Sequence, residues 1–564
     1  MKSDTLKAED RTQTGGADEN TSDSTSPQTY QNKEIKAEGS ENGAAAEEKL
    51  SPDEYPHGLR LVTLVGAVMM TVFLTSLDQT IVGTAIPKIT DEFHGLSQVS
   101  WYGSAYFMCY GGFQSSWGKA YKFFPLKLTF MTSVLIFEVG SLICGVAPNS
   151  NALIAGRAIA ALGGAGVTTG GTVIFAFCAE PKNRPMLMGL MGFSYTIAAI
   201  LGPIIGGAFS ERVTWRWCFY INLPLGGFSL TLIMLFFRTP STAKVVTATF
   251  AEKIRQLDLV GITLAMGAII SYILALQYGG QAYPWKSSVV IGLLVGAFVI
   301  FVALAVWDYF QGDYAMLPRR LLGQRALWAP SIFQFFYSGC YFLLLYYLPI
   351  YFQSIKGVGA IQSGVDNLAL VIAGCIAMLA GGMIVTSTRL ATPFMVGGAA
   401  LTTVGCGLLY TLDVNTASGK WIGYQILLGV SIAFPFQNGL NIAQAHITAS
   451  DVSTATATLF FFQVVGGAFS LSAAQSAFVN RLTSTLPTYA PGVNPALVVA
   501  TGATELRSVF PPDQLQGILL AYMEGIKASF AIATALSGVA FIMSFFCPWS
   551  RLPKGPAGGA APAV

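Results

Sequence analysis

Three ionisable residues, Asp78, Glu138 and Arg157, interrupt long apolar stretches of this chain. A charged side chain in a hydrocarbon environment is costly, so such residues usually pair or take part in moving ions or protons. An acid that alternates between protonated and ionised forms can carry a proton, and a nearby arginine favours the ionised form. We therefore predict that Asp78 or Glu138 carries a proton and that Arg157 biases its release. The alternative is that these charges only hold helices together.

A second pattern consists of small residues at regular spacing on one apolar stretch. Small residues four positions apart let a neighbouring helix approach closely, and a proline among them removes a backbone donor and permits a bend. The pattern predicts a tightly packed helix. Its members are Gly189, Ala198, Gly202, Pro203, Gly206 and Gly207.

Amide and aromatic side chains in the second half of the chain are candidates for an amphipathic binding cavity. Amides face lipid at a cost, so Gln437, Asn438 and Asn441 are the first candidates. Gln334 and Tyr337 could add a hydrogen bond and a stacking surface. The alternative is that these side chains only pack, as aromatic residues at helical spacing commonly do.

The composition indicates which elements must position these residues. The chain has 564 residues, of which 53% are hydrophobic and 11% are charged, and soluble domains carry roughly 25% charged residues. Apolar stretches of roughly 20 residues can cross a membrane as helices. We predict an all-α polytopic membrane protein with spans near 60–83, 100–117, 128–147, 153–177, 186–210, 218–237, 259–277, 288–308, 327–352, 364–386, 393–412, 420–441, 454–480 and 525–548.

The segments outside these spans predict the topology. Residues 1–56 are polar and read as a disordered tail. With the N-terminus in the cytosol, basic residues on the cytosolic side outnumber those outside by about two to one, so we expect both termini in the cytosol. Residues 481–524 read as an irregular outer loop, and 550–564 as a second cytosolic tail.

Several other classes of function are disfavoured by the same sequence. The net charge of +3 is spread along the chain, which argues against nucleic-acid binding. The eight cysteines show no metal-binding spacing, so we expect neither a metal nor another cofactor. No phosphate-binding G-x-x-x-x-G-K-[ST] loop is found, which disfavours an ATP-driven pump, and no catalytic module is visible.

Five motifs resemble those of a known family. Residues 77–87 read LDQTIVGTAIP, 101–106 read WYGSAY, and 156–166 begin with Gly-Arg. The small-residue pattern at 189–207 matches GxxxxxxxxGxxxGPxxGG except for Ala198, and 215–224 follow as WRWCFYINLP. Together they are similar to the fourteen-helix drug:proton antiporter branch of the major facilitator superfamily, in particular its fungal toxin and multidrug efflux group.

The resemblance implies an architecture and a function. The fold would be two six-helix bundles, at 57–238 and 327–549, joined by an inserted helix pair at 239–326. The expected activity is proton-coupled export of drugs, toxins or fungal secondary metabolites, as small amphipathic organic substrates, across the cell membrane by a monomer. One alternative is uptake, or transport across a vacuolar or vesicle membrane, of a small solute such as a basic amino acid or a siderophore. A nontransporting receptor is another.

One segment departs from the family pattern. The loop after the second span, residues 118–127, keeps Gly118 and its basic residues but lacks the usual acid. A charge relay that closes the cytosolic side would therefore be incomplete within this loop.

Overall fold

The computed structural model describes residues 58–93, 99–180, 183–239, 246, 248–501 and 506–552. Both predicted tails lie largely or wholly outside these residues. The first seven helices are α1 (Gly58–Phe93), α2 (Val99–Phe123), α3 (Leu126–Gly145), α4 (Ser150–Cys178), α5 (Arg184–Arg212), α6 (Trp217–Tyr220) and α7 (Asn222–Phe236).

The middle of the chain adds α8 (Phe250–Gln256), α9 (Leu259–Tyr278), α10 (Ser288–Gln311) and α11 (Arg319–Leu322). The remaining helices are α12 (Arg325–Ile350), α13 (Ala360–Asp366), α14 (Leu368–Thr388), α15 (Thr392–Tyr410), α16 (Ser418–Phe436), α17 (Asn438–His446), α18 (Val452–Tyr489), α19 (Pro495–Ala500), α20 (Leu506–Val509) and α21 (Pro512–Ser544).

All fourteen predicted spans correspond to helical segments. In the described part of the chain, thirteen of these segments are long and apolar enough to cross a membrane. The remaining one, α2, is as long as the others but richer in polar residues. It can be polar because it packs against α4, α9 and α18 and so presents much of its surface to protein. The fold-class prediction is confirmed.

The structure of residues 481–524 differs from the predicted irregular outer loop. Residues 481–489 continue α18, and α21 begins at Pro512, so much of 481–524 is helical and not irregular chain. Proline is well tolerated in the first turn of a helix, where its missing N–H has no intrahelical acceptor. The Pro511-Pro512 pair therefore starts a helix within the segment that was predicted to be a loop.

The helices pack in two groups. Within the first, α1 contacts α5 and α7, and α3 contacts α4; within the second, α12 contacts α18 and α21, and α14 contacts α16. The pair α9 and α10 packs against α2 and α18 through α9. The groups meet where α2 contacts α18 and where α5 contacts α14.

We call the end of the assembly at which α1 begins the proximal end, and the opposite end the distal end. The proximal end is closed by a buried apolar cluster that contains residues of both groups. Val68 of α1 and Met191 of α5 belong to it, as do Leu440 of α17 and Leu459 of α18. Apolar burial of this kind stabilises the closed arrangement.

Candidate functional site

The most deeply buried charges in the described structure form an ion pair. The Arg157 guanidinium donates a hydrogen bond to the Asp78 carboxylate, and the two side chains are only 2% and 0% exposed. Asp78 lies on α1 and Arg157 on α4. The two residues that we predicted to act together are therefore in direct contact, between two helices of the first group.

Neighbouring groups complete the coordination of this pair. Arg157 Nε donates to the Tyr102 carbonyl oxygen at 3.2 Å, and its guanidinium carbon lies 4.3 Å from the centre of the Tyr106 ring. Asn222 Nδ2 lies 3.5 Å from Asp78 Oδ1 and 3.1 Å from Ser141 Oγ. A buried pair is stable only when such additional contacts satisfy its remaining polar atoms. Asn222 was not among the predicted site residues, although it belongs to the motif at 215–224.

Glu138 lies apart from the ion pair and faces α7. Both of its carboxylate oxygens are buried without a hydrogen-bond partner among the described residues. Glu138 Oε1 lies so close to Gly226 that a Cβ at this position would overlap it. Ser141, which contacts Asn222, is one helical turn from Glu138 on α3. The seam between α3 and α7 thus holds Glu138, Ser141 and Asn222, of which Asn222 reaches the ion pair.

The small-residue pattern lies on α5 and has two kinds of neighbour. At its beginning, a Cβ on Gly189 would lie 2.9 Å from the Met378 carbonyl oxygen of α14, so this glycine permits the contact between the two helix groups. Further along, the Ala198 carbonyl accepts a hydrogen bond from Thr80 Oγ1 at 3.2 Å, and Gly202 packs against Thr80.

The last three members of the pattern occupy different positions. Cys218 Sγ lies 4.0 Å from the Gly206 carbonyl oxygen. Gly207 has open space where a Cβ would lie. Pro203 belongs to α5, but its side chain is outside the described part.

A cavity lies between the two helix groups. It encloses about 760 Å³ of empty space, part of it open to solvent. The first group contributes residues of α1 and α5, and the second contributes residues of α12, α14, α16 and α18. The lining contains polar, aromatic and small side chains. The polar and aromatic ones include Ser76, Gln79, Thr80, Tyr195, Thr196, Tyr341, Phe342, Phe436 and Gln463.

The predicted cavity residues lie around this cavity and are not among those that line it. The side chain of Gln437 approaches Gly192, which does line it: a Cβ on Gly192 would lie 3.3 Å from Gln437 Nε2. Asn441 Nδ2 donates to Asn438 Oδ1 at 3.2 Å, and Asn438 Nδ2 donates to the Phe434 carbonyl at 2.7 Å.

The two predicted residues of α12 are buried deeper in the second group. The Tyr337 hydroxyl is 2.9 Å from Thr402 Oγ1 of α15, and Gln334 is buried near Gly439. The polar residues that face the cavity come from the neighbouring turns of α1, α5, α12 and α18. The periodicity of the sequence did not indicate which turns face the cavity, because the rotation of each helix about its own axis depends on packing.

Side-chain contacts connect the cavity to the ion pair. Tyr195 lines the cavity, and its hydroxyl donates to Thr168 Oγ1 at 2.9 Å. Tyr110 donates to the same hydroxyl at 2.6 Å and stacks on Tyr106, which contacts Arg157. Helix α1 gives a second connection, because Gln79 faces the cavity while the adjacent Asp78 faces Arg157.

The acid missing from the loop after α2 has a counterpart in the other helix group. Lys122 Nζ contacts Asp451 Oδ1 at 2.6 Å, and Arg320 Nη2 contacts Asp451 Oδ2 at 2.8 Å. Asp451 immediately precedes α18. A Cβ on Gly118 of α2 would lie 2.8 Å from the Ser453 carbonyl, so the helices also touch closely here. The proximal end is thus fastened across the two groups, which sequence reasoning restricted to the loop could not show.

We expect Asp451→Asn to weaken this closure. The partners of Asp451 are partly exposed, so loss of the charge should shift the closed state by about 1 kcal/mol, a roughly fivefold change in population. Burial raises the pKa of Asp451, but hydrogen bonds from Lys122 and Arg320 outweigh it and hold the pKa below its usual 3.8. The stabilisation is therefore present above pH 3.8 and is lost only as the pH falls further.

The measurement is labelling of the thiol introduced by Ser453→Cys. Ser453 is buried in the closed state, so the rate of labelling reports opening. Labelling should increase in the Asp451→Asn background and should be independent of pH across the neutral range. Asp413→Asn, in the segment between α15 and α16, is the matched control. Equal labelling in both backgrounds would contradict the role given to Asp451.

No group of three or more His, Cys, Asp or Glu side chains that could hold a metal ion is found within the described ranges.

Comparisons with known proteins place these features in a family. The family model of the Major Facilitator Superfamily matches residues 68–471. The chain is 64% identical to the MFS-type transporter thnB of Trichoderma harzianum, over 90% of this chain and 87% of that protein. It is 52% identical to the probable efflux pump gsfJ of Penicillium aethiopicum, over 89% and 90% of the two chains.

A solved structure agrees with the fold. The proton:xylose symporter XylE superposes with a TM-score of 0.56 at 12% identity, covering 87% of this chain and 98% of that chain. At such low identity the likeness concerns the fold alone. The family match over most of the chain and the extensive identity to fungal relatives show that the chain belongs to the Major Facilitator Superfamily.

Proposed function

We propose that this protein is a proton-coupled exporter of small amphipathic organic molecules. The observation that carries the proposal is that α1 bears both the buried Asp78, paired with Arg157, and residues that line the cavity between the helix groups. A change in the ion pair can therefore be transmitted to the cavity without an intermediate element.

Protonation of Asp78 would remove one charge of the pair. An arginine in contact with a carboxylate favours the ionised acid, whereas separation in a dry interior favours the protonated acid. Any rearrangement that separates α1 from α4 would thus couple proton uptake to shape, and a shape that binds substrate better would be favoured by substrate. If the cavity then opens alternately to the two sides of the membrane, the protein would exchange a proton for substrate.

The cavity supports the substrate class. Tyr341, Phe342 and Phe436 offer aromatic surfaces, and Gln79 and Gln463 offer amides. Such a lining suits molecules with an apolar body and a few polar groups. Relatives named as an MFS-type transporter and a probable efflux pump from fungi support export of secondary metabolites or toxins. The described cavity is formed within one chain, which is consistent with a working monomer.

The distribution of basic residues supports an orientation in the membrane. We propose the cell membrane, with the proximal end and both termini in the cytosol, because basic residues prevail on that side. The closed proximal end would then correspond to a state shut towards the cytosol.

The proposal is tested by expressing the chain in yeast that lacks its own drug pumps and following a panel of fluorescent dyes and fungal toxins. Efflux that stops when a protonophore collapses the proton gradient is the expected result. Efflux that persists would exclude proton coupling, and accumulation of the compounds would indicate uptake or vacuolar transport.

Glu138 is proposed to be a second protonatable group of the transport cycle, on the seam that also holds Ser141 and Asn222. We expect Glu138→Gln to slow proton-driven efflux, because the amide keeps the shape of the side chain but cannot ionise. Gly226→Ala should have a similar effect, since the added methyl group would displace the carboxylate.

Gly227→Ala is the control for the second of these variants, because open space surrounds the position of its Cβ. Both variants at the seam should insert into the membrane at normal levels. Unchanged rates at every pH for Glu138→Gln would remove this residue from the mechanism.

A further inference from the structure

An apolar groove lies at the proximal end, outside the central cavity. One wall is formed by Trp117, Ala120 and Phe124 of α2 and its C-terminal extension, together with Leu128 of α3. The opposite wall is formed by residues at the start of α9, including Leu259. Leu128 and Leu259 are 61% and 58% exposed, so the groove opens sideways from the bundle. In a membrane protein this direction faces lipid.

Three of the four side chains with a hydrogen-bonding group in the groove wall are engaged within the protein, and the fourth is the exposed Thr132. Ser116 Oγ donates to the Leu257 carbonyl at 2.8 Å, and Trp117 Nε1 donates to the Leu162 carbonyl at 2.7 Å. Thr129 Oγ1 donates to the Pro125 carbonyl at 3.0 Å. An occupant therefore meets an almost entirely apolar surface, which suits a hydrocarbon chain and gives little to a substrate with several polar groups.

A positive charge lies at the edge of the groove. Lys253 Nζ lies 5.0 Å from the centre of the Phe124 ring, and it forms no ion pair with an acid within the part of the chain described. The adjacent Glu252 carboxylate accepts a hydrogen bond from the Tyr314 hydroxyl at 3.2 Å instead.

The helix that carries Lys253 exposes apolar side chains as well. Phe250 and Ile254 of α8 are 71% and 44% exposed, in a short helix that also bears charged residues. Exposed apolar and charged side chains together are typical of a helix at a membrane interface, at the level of lipid head groups.

We propose that this groove binds one acyl chain of an anionic glycerophospholipid whose phosphate-bearing head group is held by Lys253. Apolar contact alone would accept any phospholipid. The ammonium group adds a preference for negative charge, since a lysine near a membrane surface attracts anionic lipid. The groove lies between the inserted helix α9 and the first group, so the lipid would fill the space between them. This inference requires only that the protein lies in a membrane.

The test uses the purified full chain incubated with mixed micelles of phosphatidylserine and phosphatidylcholine in equal amounts, followed by native mass spectrometry. The wild-type protein should retain phosphatidylserine preferentially. Lys253→Gln should lower that retention about fivefold, the effect of one lysine near a membrane surface, and leave phosphatidylcholine unchanged. Ala120→Phe, which fills the groove, should lower retention of both lipids.

Lys420→Gln is the matched control, because Lys420 is an exposed cation on α16 that does not line the groove. Thermal stability of each variant separates loss of the groove from failure to fold, and Lys253→Gln changes only an ammonium group at the groove edge. Equal retention of the two lipids by the wild-type protein, or equal behaviour of Lys253→Gln and Lys420→Gln, would overturn the proposal. Release of the lipid by the amphipathic dye rhodamine 6G would overturn it too and assign the groove to substrate.

Discussion

Asp78→Asn combined with Arg157→Gln is expected to leave a folded protein whose proton-driven efflux falls to the background of vesicles without transporter. Asp78→Asn alone leaves the Arg157 charge buried and unpaired, which destabilises a protein by about 3 to 5 kcal/mol. The double variant removes both charges and keeps two groups that can hydrogen-bond to each other. Its thermal stability should therefore exceed that of the single variant.

This comparison separates the two interpretations of the buried charges. If the pair only holds α1 against α4, recovery of stability in the double variant should bring recovery of transport. If Asp78 carries the proton, stability recovers and coupled transport does not. Asp513→Asn, on the first turn of α21, controls for loss of an acid elsewhere. Proton-driven efflux by the double variant at the wild-type rate would exclude Asp78 as the proton carrier.

Gly189→Ala is expected to open the proximal end and to slow export strongly. Its methyl group would lie 2.9 Å from the Met378 carbonyl oxygen, and the neighbouring backbone of α14 at Gly382 leaves little room to yield. Overpacking of this kind costs about 1 to 3 kcal/mol, so the ratio of closed to open protein should fall about fivefold or more. Increased labelling of Ser453→Cys and a reduced efflux rate are the measurements.

Gly207→Ala is the matched control for this variant. It belongs to the same pattern on the same helix, but open space surrounds the position of its Cβ. Its labelling and efflux should stay close to those of the wild-type protein. Similar defects in both variants would mean that the glycines act through the flexibility of α5 and not through the contact with α14.

Sequence reasoning was sufficient for the fold because lipid restricts the possible elements. Long apolar stretches can cross a membrane only as helices or closed barrels, so their length and spacing predicted the helical fold. The polar α2 was still included, although its composition is less apolar than that of the other spans. The outer segment at 481–524 was harder, because the same prolines can end a loop or begin a helix, and only packing decides between them.

For the site, sequence reasoning was better with charges than with neutral polar residues. Asp78 and Arg157 were prominent because an isolated charge in an apolar stretch needs a partner. Tyr337 instead is buried against Thr402 in the second group, since a hydroxyl can be satisfied inside a bundle as well as in a cavity. Asp451 was missed because its partners, Lys122 and Arg320, are far away in sequence.

The central claim is that substrate binding and the protonation of Asp78 exclude each other. The most direct test adds an exported compound to the purified protein in weakly buffered detergent solution and records the pH. The wild-type protein should release protons when the compound binds, whereas the Asp78→Asn, Arg157→Gln variant should bind the compound without releasing them. Absence of proton release from the wild-type protein, or equal release from the variant, would contradict the account.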